Sequence, residues 1–279
     1  MGRRKIPPPP TIPKISEICV IKEKELLVGT IFAKDSPSQR SWLDIQLKFL
    51  RATTQDFDHI TILYSNIESD YFNKNSEVIR LNSGITDSRA HVTGLNLLSD
   101  IFRSRRNVYR NFLFLDSDAF PIRNDWQSVL SSKMTQHDIA IPLRTENLET
   151  RLHSSILYAK REALNGLEFK ISQVGNDLIG YPEADVLVNP YQNKCGNVFT
   201  LVRSNKNNIH PVLCGVYYDC FYHHCCGSGR MYNLRSRDYW DTFFEKDVDV
   251  GSFTKELFDN PTDFVKHLAG WSPINYPNF

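Results

Sequence analysis

Residues 111–122, NFLFLDSDAFPI, set four apolar residues, Phe112 to Leu115, directly before two acids, Asp116 and Asp118. The run suits a buried strand, and the way it ends constrains the fold more than any other stretch. Side chains at i and i+2 of a strand share a side, so the two carboxylates stand together. Like charges held that close repel unless something positive lies between them. The pattern therefore asks for a core strand whose carboxyl end gathers an electropositive partner.

The segments before this strand say what sheet it joins. LLVGTIFA, within Glu25 to Ala33, reads as a first buried strand. Ser41 to Thr53 puts Trp42, Ile45 and Phe49 on one helical face, flanked by Leu43, Leu47 and Leu50. DHITILYS (58–65) and EVIRL (77–81) are two further strands, and DSRAHVTGLNLLSDIF (87–102) is a helix opened by Asp87. Strands alternating with helices predict a parallel sheet with helices on its faces. Ligands of such sheets sit outside the carboxyl ends of the strands, where Asp116 and Asp118 stand.

The second half is less regular. Strands are expected at 138–143, 154–164, 197–203 and 212–224, and NDLIGYPEADVLVN reads as a loop leading into a helix. The tail from Arg237 has aromatic residues at helical spacing. Neither a repeat nor a linker divides the chain, so the expectation is one α/β domain over 25–279. Residues 1–24 form an extension whose Pro7–Pro10 run can neither be helical nor enter a central strand.

Composition excludes some partners. A net charge of +1 over 279 residues gives no overall pull toward nucleic acid. No apolar run approaches the ~20 residues of a transmembrane helix. Prolines follow the basic N-terminus where a secretory peptide needs an apolar stretch. The six cysteines (Cys19, Cys195, Cys214, Cys220, Cys225 and Cys226) are then read as reduced thiols, and a cytoplasmic location is expected.

Three readings compete for the acidic pair: a solvated turn, the nucleophile of a haloacid-dehalogenase-type phosphatase, or a divalent-metal site. The phosphatase pattern wants Thr or Val two positions past the second Asp and a place early in its domain. Here Phe120 and Pro121 follow, after about a hundred residues of alternating strand and helix. A non-catalytic carbohydrate-binding protein would suit the 4 Trp, 12 Tyr and 17 Phe but leaves the acids unexplained. The second motif, YYDCFYHHCCGSGR (217–230), offers His223 and His224, then Gly-Ser-Gly-Arg. Cys220, His223, Cys225 and Cys226 could ligate zinc, but their crowding gives poor tetrahedral geometry. Glycine lets backbone amides approach a phosphate, and arginine offers it a bidentate fork.

In motif placement and element order the chain resembles GT-A-type glycosyltransferases. That resemblance implies a GT-A-like mixed sheet, with a nucleotide-binding half at about 25–122 and an acceptor half at about 123–279. It implies transfer from a nucleotide-diphosphate donor, a UDP-sugar by preference, to a hydroxyl of a glycan or other acceptor. Hard cations such as Mn²⁺ or Mg²⁺ take carboxylate and phosphate oxygens together. The glycogenin-like His-x-x-Gly-x-x-Lys spacing falls on His224, Gly227 and Arg230. The resemblance therefore implies a metal held by Asp116, Asp118 and His224, with His223 as the alternative ligand. Asp116, Gly227, Gly229 and Arg230 would meet the diphosphate. Thr30, Ile31 and Phe32 end the first strand, where the family lays the nucleotide base. Arg89 and His91 open a helix that would face the nucleotide, and Gly94 would let that helix pack closely. Arg103, Arg105, Arg106 and Arg110 read as a solvated helix end. For an inverting reaction Asp185 is the expected general base, chosen over Asp177 and Glu183 because it adjoins Val186-Leu187-Val188.

Overall fold

The computed structural model describes residues 23–32, 37–64, 76–81, 88–144, 151–171, 186–188, 197–204, 213–224, 250–269 and 277. The first half follows the expected alternation: β1 (Lys24–Phe32), α1 (Pro37–Thr53), β2 (Phe57–Tyr64), β3 (Glu77–Leu81), α2 (Ser88–Arg105) and β4 (Tyr109–Asp116). Next come β5 (Ala119–Pro121), α3 (Trp126–Met134), β6 (Ile139–Arg144), β7 (Arg151–Leu152), β8 (Ile156–Lys160) and β9 (Phe169–Ile171). The chain continues through β10 (Val186–Val188), β11 (Val198–Val202), β12 (Gly215–Tyr217) and β13 (Phe221–His223). Two helices follow, α4 (Val250–Asp259) and α5 (Pro261–Ala269).

The main sheet runs β11-β6-β8-β4-β1-β2-β3, with β7 paired to β6. β1 pairs in parallel with both β2 and β4, whereas β8 runs antiparallel to β4 and β6. This is the mixed α/β sheet flanked by helices that the sequence predicts. From β1 the chain moves outward through β2 and β3, then returns to β4 on β1's other side. The strand order therefore reverses between β1 and β4, and the carboxyl ends at such a reversal are where sheets of this kind take their ligands.

Central strands explain their own composition. Leu26 to Phe32 of β1 and Phe112 to Leu115 of β4 are all buried, as both faces are covered. On one face Phe102 of α2 packs on Phe112 and Phe114, with ring centroids 4.9 and 4.6 Å away. Gly29 makes that approach possible, because a Cβ there would lie 2.5 Å from both Leu98 methyls. Gly94 serves the same packing on the helix side, facing Ile31. On the other face α1 buries Trp42, Phe49 and Leu50, and Phe49 stacks on Phe120 at 4.3 Å. Each such side chain contributes about 2–3 kcal/mol on leaving water.

Three local expectations are corrected. Residues 212–224 do not form one strand: β12 and β13 are antiparallel arms joined at 218–220, where Tyr218 and Asp219 take φ of 53° and 51°. Both positive values suit the tight turns of hairpins. Val186–Val188 is a strand paired with β9, not the start of a helix, in keeping with its two β-branched residues. The strand within 154–164 covers only 156–160 and gives way to a 3₁₀ turn at Arg161–Gly166. No described helix is long and apolar enough to cross a membrane.

Candidate metal centre at the switch point

β4 ends on Asp116 beside β1, with Asp116 in register with Ile31. The chain turns at Ser117-Asp118 and enters β5, which pairs with β13 in a small sheet ordered β12-β13-β5. That ladder sets His223 opposite Ala119, while the His224 amide donates to the Asp118 carbonyl at 3.1 Å. His223 Nε2 thus stands 3.4 Å from Asp118 Oδ1 and 3.6 Å from Asp116 Oδ2. One ligand atom from each of Asp116, Asp118 and His223 lies within 4.8 Å of the others. Asp118 and His223 are 4% and 3% exposed, so these are desolvated polar groups.

The choice between the two histidines is a correction. Neighbouring strand residues face opposite sides, and the register gives His223 to the acids and His224 to the core. His224 Nδ1 lies 2.9 Å from the Tyr222 hydroxyl and its Nε2 3.2 Å from Thr254 Oγ1 on α4. Its ring packs 4.9 Å from Trp42. Burial pushes its pKa down to about 4, so it is neutral at physiological pH. Both ring nitrogens are engaged away from the acids.

His91, expected to face the nucleotide, reaches the same cluster. Its Nε2 lies 3.2 Å from Asp116 Oδ1, within ion-pair distance. Burial pulls the His91 pKa down, but the charge of Asp116, with Asp118 behind it, outweighs that and leaves it raised.

Thr30, Ile31 and Phe32 end β1 on this edge, but the three residues are only 0%, 7% and 0% exposed. Arg89 lies in the first turn of α2. Asp185, Gly227, Gly229 and Arg230, with Asp177 and Glu183, lie outside the described residues, as does the Pro7–Pro10 run. The basic cluster ties the fold locally: Arg105 grips Glu77 with two hydrogen bonds, Arg103 holds the carbonyls of Leu164 and Leu167, and Arg110 pairs with Glu23. The described cysteines, Cys214 and Cys220, are buried and form no disulfide with each other, and Cys214 Sγ lies 3.7 Å from His224 Nδ1.

Several residues at the site had gone unread. His153 packs its ring 5.5 Å from that of His223, and its Nδ1 accepts from the Ser155 amide at 3.2 Å. The Ser155 carbonyl in turn accepts the Asp116 amide at 2.8 Å, and its own hydroxyl is buried with no hydrogen bond among the described residues. Arg144, buried, ends β6 on the same edge. A sequence signal existed for the first two, because His153-Ser154-Ser155 is a polar run directly before the apolar ILYA. A strand antiparallel to β4 begins where β4 ends.

A cavity of about 480 Å³ lies elsewhere, lined by Arg51, Asp58, His59, Ser76, Glu77 and Tyr109 among others at the amino ends of β2 and β3. Its acids are already engaged, Asp58 by Lys24 and Tyr109 and Glu77 by Arg105, so it does not rival the metal cluster.

No family model and no curated protein matches the chain. Among solved structures it is similar to the glycosyltransferase GlyE of Streptococcus pneumoniae TIGR4, at 10% identity and a TM-score of 0.42, over 91% of this chain and 53% of that one. It is also similar to a proposed nucleotide-diphospho-sugar transferase of Desulfovibrio desulfuricans G20, at 10% identity and a TM-score of 0.40, over 88% and 98% of the two chains. The mannosyltransferase PcManGT of Pyrobaculum calidifontis, solved with GDP-Man and Mn²⁺, matches at 10% identity and 0.36, over 51% of this chain and 46% of that one. Likenesses of this size carry no argument about chemistry. The site must carry that.

Proposed function

We propose that the chain is a metal-dependent glycosyltransferase that moves a sugar from a nucleotide-diphosphate donor, a UDP-sugar by preference, to a hydroxyl acceptor. The observation that carries this reading is the Asp116–Asp118–His223 cluster at the point where strand order reverses. The two carboxylates suit a hard divalent ion such as Mn²⁺ or Mg²⁺, and the added imidazole favours Mn²⁺ of the two. Ligands of an octahedral ion at about 2.1 Å sit about 3 Å apart in cis, close to the 3.4 and 3.6 Å separations around His223.

Asp116, Asp118 and His223 would hold the ion, which when bound neutralises charge on a departing diphosphate. Arg230, with Gly227 and Gly229, is assigned to that diphosphate, and the β1 end to the nucleotide. Asp185 is assigned as the general base of an inverting transfer. A panel of nucleotide sugars screened by thermal shift, with and without Mn²⁺, tests the reading. A donor at one hundred times its Kd adds about 2.7 kcal/mol, or roughly 5 °C. The shift should require Mn²⁺ and vanish in Asp118→Asn. Donor binding that ignores both the ion and that substitution would overturn the assignment.

A further inference from the structure

The turn that carries both acids is held from behind by a side chain of α1. Gln46 is fully buried, and its Nε2 donates to the Asp116 carbonyl at 2.9 Å and to the Ala119 carbonyl at 2.7 Å. These carbonyls bracket Ser117-Asp118, so one amide group spans the whole turn. The Gln46 carbonyl oxygen accepts from the Thr30 hydroxyl at 2.8 Å. Thr30 has spent its proton there, so its oxygen accepts from His59 Nε2 at 3.2 Å. His59 Nδ1 faces Ser76 Oγ at 2.8 Å, and that hydroxyl also lies 3.1 and 3.2 Å from the His59 and Glu77 carbonyls. Burial pushes the His59 pKa down to about 3, so this neutral tautomer persists at physiological pH. From His59 onward every donor points the same way, toward the acids.

We infer that Gln46 is a positioning residue for the metal ligands, fixing the Asp116–Ala119 turn through a directional relay from His59 by way of Thr30. The physical reason is that a metal site tolerates little error. Two carboxylates that repel each other drift apart in the absence of the ion unless their backbone is fixed. Gln46 touches neither carboxylate, and so holds the backbone without competing with a ligand. An apolar side chain of the same length would leave two buried carbonyls unpaired and the turn free to relax. The length is also specific, because Asn would fall about one methylene short of carbonyls three residues apart.

This inference rests on the metal reading, but its test separates the two. Mn²⁺ alone is titrated into the wild type, Gln46→Met and Thr30→Val, with the free ion followed by electron paramagnetic resonance. Melting is recorded in EDTA. Gln46→Met keeps the volume and loses both donors, and should weaken Mn²⁺ binding about tenfold to a hundredfold, as residues that orient ligands do. Thr30→Val keeps the shape and loses one relay step, so it should fold even where Gln46→Met does not, and weaken binding about threefold. Amide exchange of peptides covering 112–121 in metal-free protein should quicken in both variants. A lowered melting temperature with native Mn²⁺ affinity and native exchange would reduce Gln46 to a packing residue and overturn the inference. If the wild type itself binds no Mn²⁺, the metal reading fails, and unchanged exchange in the variants would then sink the clamp separately.

Discussion

His224 offers a quantitative test of how the site's supports are built. Its ring is buried against Trp42 and held by Tyr222 and Thr254, and its pKa is pushed down to about 4 from an ordinary 6.5. Between those two values the unfolded chain binds a proton at residue 224 that the folded chain refuses. Stability therefore falls as pH falls through this window. Taking 1.36 kcal/mol per pKa unit, the loss from His224 between pH 7 and pH 5 is about 2 kcal/mol. His59, pushed down to about 3, adds a similar amount. Urea unfolding of the wild type and His224→Gln at both pH values, in EDTA and followed by tryptophan fluorescence, isolates the His224 share. Gln cannot titrate, so the wild type should lose about 2 kcal/mol more than the variant on going to pH 5, whatever their absolute stabilities. Equal losses would show that residue 224 protonates freely in the folded protein, and the buried placement that turns it from the acids would be wrong.

Gly29→Ala would drive a methyl to 2.5 Å from Leu98, and should cost about 1–3 kcal/mol in denaturant unfolding while tilting His91 from Asp116. Native stability in that variant would mean α2 packs less closely than described. Arg230→Lys keeps the charge but loses the fork, so its transfer rate should fall between wild type and Arg230→Ala, with about tenfold per step. Equal rates in all three would remove Arg230 from the diphosphate. Asp185→Asn should abolish transfer and spare donor affinity, with an inverted anomeric product in the wild type by NMR. A retained configuration, or near-normal turnover in the variant, ends that assignment.

The first-half strands and helices were legible because each buries a continuous apolar run or stripe whose period is local. The same holds for Asp116 and Asp118, since an apolar run that stops on two acids shows its polarity in the order of its residues. Legibility failed where pairing, not propensity, decided the outcome. Val186–Val188 is three residues long and becomes a strand only because β9 lies beside it. The 212–224 segment is apolar apart from Gly215, Asp219 and its two final histidines, so Asp219 alone marks the bend at Tyr218 and Asp219, and a single Asp is a weak turn signal.

The sequence by itself therefore determined a strand that ends in a paired acid, placed at the carboxyl edge of a sheet built by alternating strands and helices. Tertiary structure alone decided what joins that pair. A one-residue change in the register of β13 against β5 would exchange His223 for His224, because strand side chains alternate faces. Gln46, His153 and Ser155 lie 70, 37 and 39 residues from Asp116, and come to it through helix packing and an antiparallel neighbour rather than through any local pattern. Local periodicity fixes which way a side chain faces within its own element. Which elements meet, and in what register, is set by burial summed over the whole core, and no short motif encodes that sum.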